Sequence, residues 1–99
     1  HMSVAEFIGD EVSAAAYRLC GMDVHVANSS NALSLIRKSC ERASLVLVGS
    51  SISQYIHRTE LDQLLANLQP PVLIVPDVRG LQDVPDIASR INKQLGLLE

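Results

Sequence analysis

Apolar residues in this chain gather into four short runs, with stretches of helical spacing between them and one more after the last run. Val4 to Ile8 is the first run, and it stops at Gly9-Asp10, which predicts a buried strand. Asp10 is placed to cap a helix whose apolar positions Val12, Ala15, Ala16 and Leu19 share one face. Gly21 ends that helix, where a glycine relieves the left-handed turn. Met22 to Ala27 predicts a second strand, and the polar stretch Asn28 to Asn31 leads to a helix striped by Leu33, Ile36 and Cys40. Leu45-Val46-Leu47-Val48 has no polar alternation, so that strand is expected to be buried on both faces, as in a parallel sheet. A helical piece around Ile52 to Ile56 follows Gly49-Ser50-Ser51. Thr59 is then expected to cap a longer helix carrying Leu61, Leu64, Leu65 and Leu68, with Asp62 three residues after the cap. Pro70-Pro71 precede the fourth strand, Val72 to Val75.

This order predicts an α/β fold, βαβαβαβα: a four-stranded parallel sheet with helices on both faces, receiver-like or Rossmann-like, closed by right-handed crossovers. Residues 3–76 form the sheet domain, residues 77–85 read as a jointed linker with one glycine and two flanking prolines, and residues 86–99 form a last helix. His1-Met2 reads as a cloning remnant. The last helix presents Ile87, Ile91, Leu95 and Leu98 along one side, with Val84 just ahead of it. No strand follows to pin it, so it is expected to be mobile, either closing its own core or giving the stripe to another molecule.

Composition narrows the classes. A chain of 99 residues that is 47% hydrophobic makes one domain, which buries roughly 65% of its unfolded surface. Aromatics are only 3%, so the core is aliphatic. A net charge of −3 with singly scattered Lys and Arg argues against a nucleic-acid surface. No apolar run reaches the ~20 residues of a membrane span, and no signal peptide is evident. Cys20 and Cys40 lack the spacing of a zinc or CxxC motif and are expected to be reduced core thiols of a cytosolic protein.

Ligands of open parallel sheets sit at the carboxyl ends of the strands, where the strand order reverses, here expected between the first and third strands. Asp10 and Glu11 lie at one of those ends and Ser50 and Ser51 at the other. They are candidates to hold Mg²⁺ or a small anion; alternatively Asp10 and Ser51 cap helices and Glu11 complements a helix dipole. Neither phosphate-binding glycine motif occurs, GxxxxGK[ST] or GxGxxG. A receiver's phosphoacceptor aspartate is replaced by Gly49-Ser50, and the fifth strand with its lysine is missing. His25, His57 and Arg18 form no catalytic constellation and read as strand or surface residues. No cofactor and no catalytic residue is expected.

Ile8-Gly9-Asp10-Glu11 followed by Tyr17-Arg18-Leu19-Cys20-Gly21 resembles the opening of the F subunit of V/A-type rotary ATPases. The run Leu45 to Ser50 into Ile52 to Ile56, the segment Val72 to Pro76 with Asp77-Val78-Arg79-Gly80, and the close Ile91 to Leu97 with Leu95-Gly96 are similar to that family in the same order. Ala14 to Ala16 departs from its Thr/Gly-containing stretch. The resemblance implies a non-catalytic subunit of the central rotor stalk, peripheral to the membrane on the cytoplasmic side and bound to the coiled-coil D subunit. It implies coupling of ATP hydrolysis or synthesis to H⁺ or Na⁺ transport, and transient contact of the last helix with the A/B catalytic head. The alternative is a degenerate receiver-like domain using Asp10, Glu11, Ser50 and Ser51.

Overall fold

The computed structural model describes residues 4–96. Strand β1 (Ala5–Gly9) leads into α1 (Glu11–Leu19), β2 (Asp23–Val26), α2 (Ala32–Cys40) and β3 (Leu45–Gly49). Helices α3 (Ser50–Ser53) and α4 (Arg58–Ala66) then precede β4 (Val72–Val75), a 3₁₀ turn at Leu81–Asp83 and α5 (Val84–Gln94). The sheet is all parallel in the order β2-β1-β3-β4, so the order reverses between β1 and β3. Strand side chains alternate between two apolar layers. Ile8, Val46, Val48 and Val72 face α2 and α3, with Leu61 and Leu64 of α4 packed against that layer. Phe7, Leu47 and Val75 face α1 and α5. β3 is buried on both sides, as its unbroken apolar run requires.

Helix α1 is turned differently from the expectation. Ser13, Ala14, Ala16 and Tyr17 face inward, while Val12 and Leu19 are 56% and 74% exposed and Ala15 is exposed as well. Packing explains the rotation. The small Ala14 and Ala16 let the helix lie close on the sheet, and the Tyr17 ring packs 4.5 Å from that of Phe7. The helix stops at Gly21, whose φ is 91°. Gly21 N–H donates to the Arg18 carbonyl and Met22 N–H to the Tyr17 carbonyl, which satisfies two carbonyls that a helix end leaves open. Cys20 is exposed at this end and is therefore no core thiol. Cys40 is half-buried, and burial pushes its thiol pKa up.

The region between β3 and β4 corrects four expectations. The short helix starts at Ser50, directly after β3, rather than around Ile52. Ser51 lies within it and does not cap it; its backbone N–H donates to Asp77 Oδ1 at 3.3 Å. α4 begins at Arg58 with His57 in the cap position and no capping side chain, so Thr59 is a first-turn residue and not a cap. Asp62 pairs with Arg58 one turn earlier, 3.5 Å away. Leu65 within α4 and Leu68 beyond its end at Ala66 are 38% and 79% exposed, and of the four leucines only Leu61 and Leu64 pack against the core.

Candidate functional site

Three places in the fold gather chemistry or exposed apolar surface. At the carboxyl edge of the sheet, Gly9 and Gly49 close β1 and β3 side by side. A Cβ at Gly49 would stand 3.2 Å from Asp77 Oδ1 and 3.3 Å from the Phe7 ring, so a side chain there would need both neighbours to yield slightly. Asp10 Oδ2 accepts from the Ser13 N–H at 3.1 Å, which caps α1. Asp10 Oδ1 and Ser51 Oγ are buried without a protein hydrogen-bond partner. Glu11 and Ser50 are exposed, and Asp77, which was not among the candidate site residues, accepts from the Ser51 N–H in the first turn of α3. Among the described residues, no cluster of three or more His, Cys, Asp or Glu side chains is placed to hold a metal ion.

At the opposite end of the sheet stands a polar network that sequence pattern did not reveal. Glu6, at 0% exposure on β1, accepts from Ser39 Oγ at 2.8 Å and from Arg42 Nε and Nη2 at 2.8 and 2.9 Å. His25 Nε2 lies 2.8 Å from Glu6 Oε1 and 3.0 Å from Arg42 Nη2. A protonated Nε2 donates to Glu6, whereas a bare one accepts from Arg42. Hydrogen bonding to Glu6 first, and nearby carboxylates after it, hold the Arg42 guanidinium more firmly charged than in water. The one available signal was a glutamate in the middle of an apolar run, which must carry its partners with it into the core. This cluster ties α2 and β2 to β1. His57 is exposed at the start of α4, and Arg18 is exposed on α1.

The last helix rests on the sheet. Ile87 and Ile91 are 5% and 8% exposed in the layer with Phe7, Ala14 and Tyr17, and Val84 and Leu95 pack against it. Leu98 lies outside the described residues. Pro85 sits in the first turn of α5, where its missing N–H costs nothing. Val78 of the preceding segment is 2% exposed in the same layer. Beside it, the outward face of α1 forms an open apolar groove with Leu81, which is 49% exposed.

No helix among the described residues is long and apolar enough to cross a membrane. A family model described as ATP synthase (F/14-kDa) subunit matches residues 6–93, nearly the whole chain. No curated protein matches it.

Proposed function

The chain belongs to the family of the ATP synthase (F/14-kDa) subunit, and from that premise we propose that it is a non-catalytic subunit of the central rotor stalk of a V/A-type ATPase. In this reading its partner is the coiled-coil D subunit. It couples or modulates ATP hydrolysis or synthesis with H⁺ or Na⁺ transport, and stays cytoplasmic and peripheral to the membrane. The observation that carries the reading is the family match over residues 6–93, in which every strand and helix of the sheet domain lies save the first residue of β1. The fold is consistent with it: Asp10 Oδ2 caps α1 and Asp77 Oδ1 accepts from the first turn of α3, and the sequence has no phosphate-cradling glycine motif.

In the same reading, α5 is the part that modulates activity. Its stripe of Ile87, Ile91 and Leu95, continued by Leu98 in sequence, packs on the sheet in one state and reaches toward the A/B head in another. The test is co-purification of the full chain with its cognate D subunit, followed by ATPase measurement in the reassembled head. A stable complex and a change in ATPase rate on adding the chain are expected. Failure to bind the D subunit, or binding of ATP or Mg²⁺ by the isolated chain in the micromolar range, would overturn the reading.

A further inference from the structure

One oxygen of the Glu6 network is crowded by donors. Glu6 Oε1 lies 2.8 Å from Ser39 Oγ, 2.9 Å from Arg42 Nη2 and 2.8 Å from His25 Nε2, while Oε2 takes Arg42 Nε at 2.8 Å. A carboxylate oxygen offers about two lone-pair sites, so these three groups cannot all donate to Oε1 at once. His25 Nε2 is also 3.0 Å from Arg42 Nη2, and its two short contacts cannot both be hydrogen bonds. With a proton, Nε2 donates to Oε1 and stands donor against donor with Arg42. Without one, it accepts from Arg42 and stands acceptor against acceptor with Oε1. A neutral imidazole can leave Nε2 bare by carrying its proton on Nδ1. The imidazolium has no such choice, and it also meets the guanidinium as a second cation.

We propose that a proton on His25 switches this cluster: the imidazolium takes Glu6 Oε1 and displaces the Arg42 guanidinium from the buried pair to the protein surface. Arg42 is the group that moves, because Glu6 and Ser39 have no exposure and His25 is fixed on β2, whereas the Arg42 side chain is already 41% exposed. The backbone around it stays in place. Arg42 and Ala43 both donate to the Ser39 carbonyl, at 3.1 and 2.8 Å, and Ala43 is buried. The other charged groups facing the cluster are Asp23 of β2 and Arg18 of α1, which line the same open cleft with His25, and Glu41 beside Arg42. Asp23 and Glu41 leave the displaced guanidinium among carboxylates, while Arg18 adds a further cation on the side of α1. Of the residue types in this cluster, histidine is the one that ordinarily changes charge between about pH 5 and 8. Above that range Arg42 is held in its pair with Glu6; below it, the cation is presented to solvent at this end of the sheet.

The experiment is an NMR titration of the full chain from about pH 8 to about pH 5, following the His25 ring and the arginine Nε–H signals. At the upper end the Arg42 Nε–H, bound to Glu6 Oε2, should be shifted away from that of exposed Arg90 and should exchange slowly with water. As the His25 ring gains its proton, the Arg42 signal should move to the position of Arg90 and lose its protection, with the same midpoint. His25→Gln keeps a polar side chain that gains no charge, and its Arg42 Nε–H should stay protected over the whole range. An Arg42 signal that holds still while the ring titrates would overturn the switch, as would a ring that does not titrate in this range. So would the same Arg42 transition in His25→Gln, since Asp23 or Glu41 would then be its cause. If the amides of β1 and β3 lose protection together with Arg42, the proton unfolds the chain and switches nothing. The titration uses no partner, so none of these outcomes bears on the rotor-stalk reading.

Discussion

Ser13 and Val78, 65 residues apart in the chain, hold each other by two hydrogen bonds: the Val78 N–H donates to Ser13 Oγ at 2.9 Å, and that hydroxyl donates to the Val78 carbonyl at 3.3 Å. Both residues are buried, at 0% and 2% exposure. One side chain on α1 thus satisfies both backbone groups of a residue in the segment that follows β4. It also holds the segment after β4 against α1 as far as Val78, and Arg79 beyond it donates its N–H to Asp83 Oδ2 at 2.9 Å.

Ser13→Ala removes both partners of Val78 and leaves a buried N–H and a buried carbonyl unpaired. We expect a loss of about 1–3 kcal/mol of stability in urea unfolding. Amides from Val78 through α5 should exchange faster, while those of β1 and β3 keep their relative protection. An unchanged midpoint would mean that water replaces the hydroxyl at no cost.

Tyr17 carries a buried hydroxyl without a hydrogen-bond partner, and burial, aided by the neighbouring Cys20, pushes its pKa up to about 12. The unfolded chain ionises this phenol near pH 10, whereas the folded chain resists until about pH 12. Between those values the unfolded state binds fewer protons than the native one, so stability falls as pH rises; below pH 10 there is no effect. Tyr17→Phe should therefore leave stability at pH 7 unchanged or slightly raised, since an unpaired polar atom is removed. It should also abolish a part of the alkaline destabilisation between pH 10 and 12, on the order of 2 kcal/mol. Parallel unfolding curves of the two proteins across that range would show that the phenol reaches water when folded.

Strand identity and order were readable in the sequence because four apolar runs and their glycine and proline boundaries are local signals. The family resemblance rests on those same segments, and the match over residues 6–93 agrees with it. What the pattern did not reveal depends on partners distant in sequence. The inward face of α1 is decided by Phe7, which takes Tyr17, and by Val78, which takes Ser13. Hydrophobicity alone favoured Val12 and Leu19 there, and those are the residues left outside. Likewise Thr59 has the composition of a cap, but α4 starts earlier at Arg58, whose pairing with Asp62 takes away the carboxylate that a capping box needs. The Glu6 network joins β1, β2 and the end of α2, a junction that no single stretch of sequence contains.

Glu6 and Arg42 form a bidentate pair whose acid is wholly buried and whose base is 41% exposed. Removing only the base leaves a buried carboxylate with fewer donors. Arg42→Met should cost about 2–4 kcal/mol, below the largest values for buried pairs because solvent already reaches the guanidinium. Glu6→Gln combined with Arg42→Met should cost less than the sum of the two single changes. A coupling of about 1–3 kcal/mol in the double-mutant cycle is the expected result. Strict additivity would mean that Glu6 and Arg42 stabilise the fold independently of each other.

Gly9 closes β1 on the same side of the sheet as Phe7, and a Cβ placed there would overlap Phe7 Cζ. The ring has no exposure and packs against Tyr17, so it has little room to yield. Gly9→Ala should destabilise the fold by about 1–3 kcal/mol, although alanine suits a strand better than glycine. Gly21→Ala tests a different cause, since nothing lies within 4 Å of its Cβ position but its φ is +91°. Its cost, about 1 kcal/mol, should come from backbone strain alone. The comparison separates crowding from conformation: adding Phe7→Leu should rescue Gly9→Ala but not Gly21→Ala.

The last helix lies on the sheet through Ile87 and Ile91, yet all four strands precede Pro76 and pair without any contribution from it. Ile91→Ser with Leu95→Ser introduces two hydroxyls into that contact and removes most of its apolar area on the later half of α5. We expect a loss of about 2–4 kcal/mol, chiefly from Ile91, which is 8% exposed while Leu95 is only half-buried. The sheet should nevertheless persist, because Phe7 still packs on Tyr17 and the opposite layer around Ile36 and Val48 is untouched. Hydrogen exchange should show fast α5 amides beside protected β1 and β3 amides. In the reassembled head, the variant should change ATPase stimulation, because α5 is no longer held down. If all amides lose protection together, α5 is an integral part of one cooperative core. If α5 is released while ATPase stimulation stays at the wild-type level, the helix has no part in regulation.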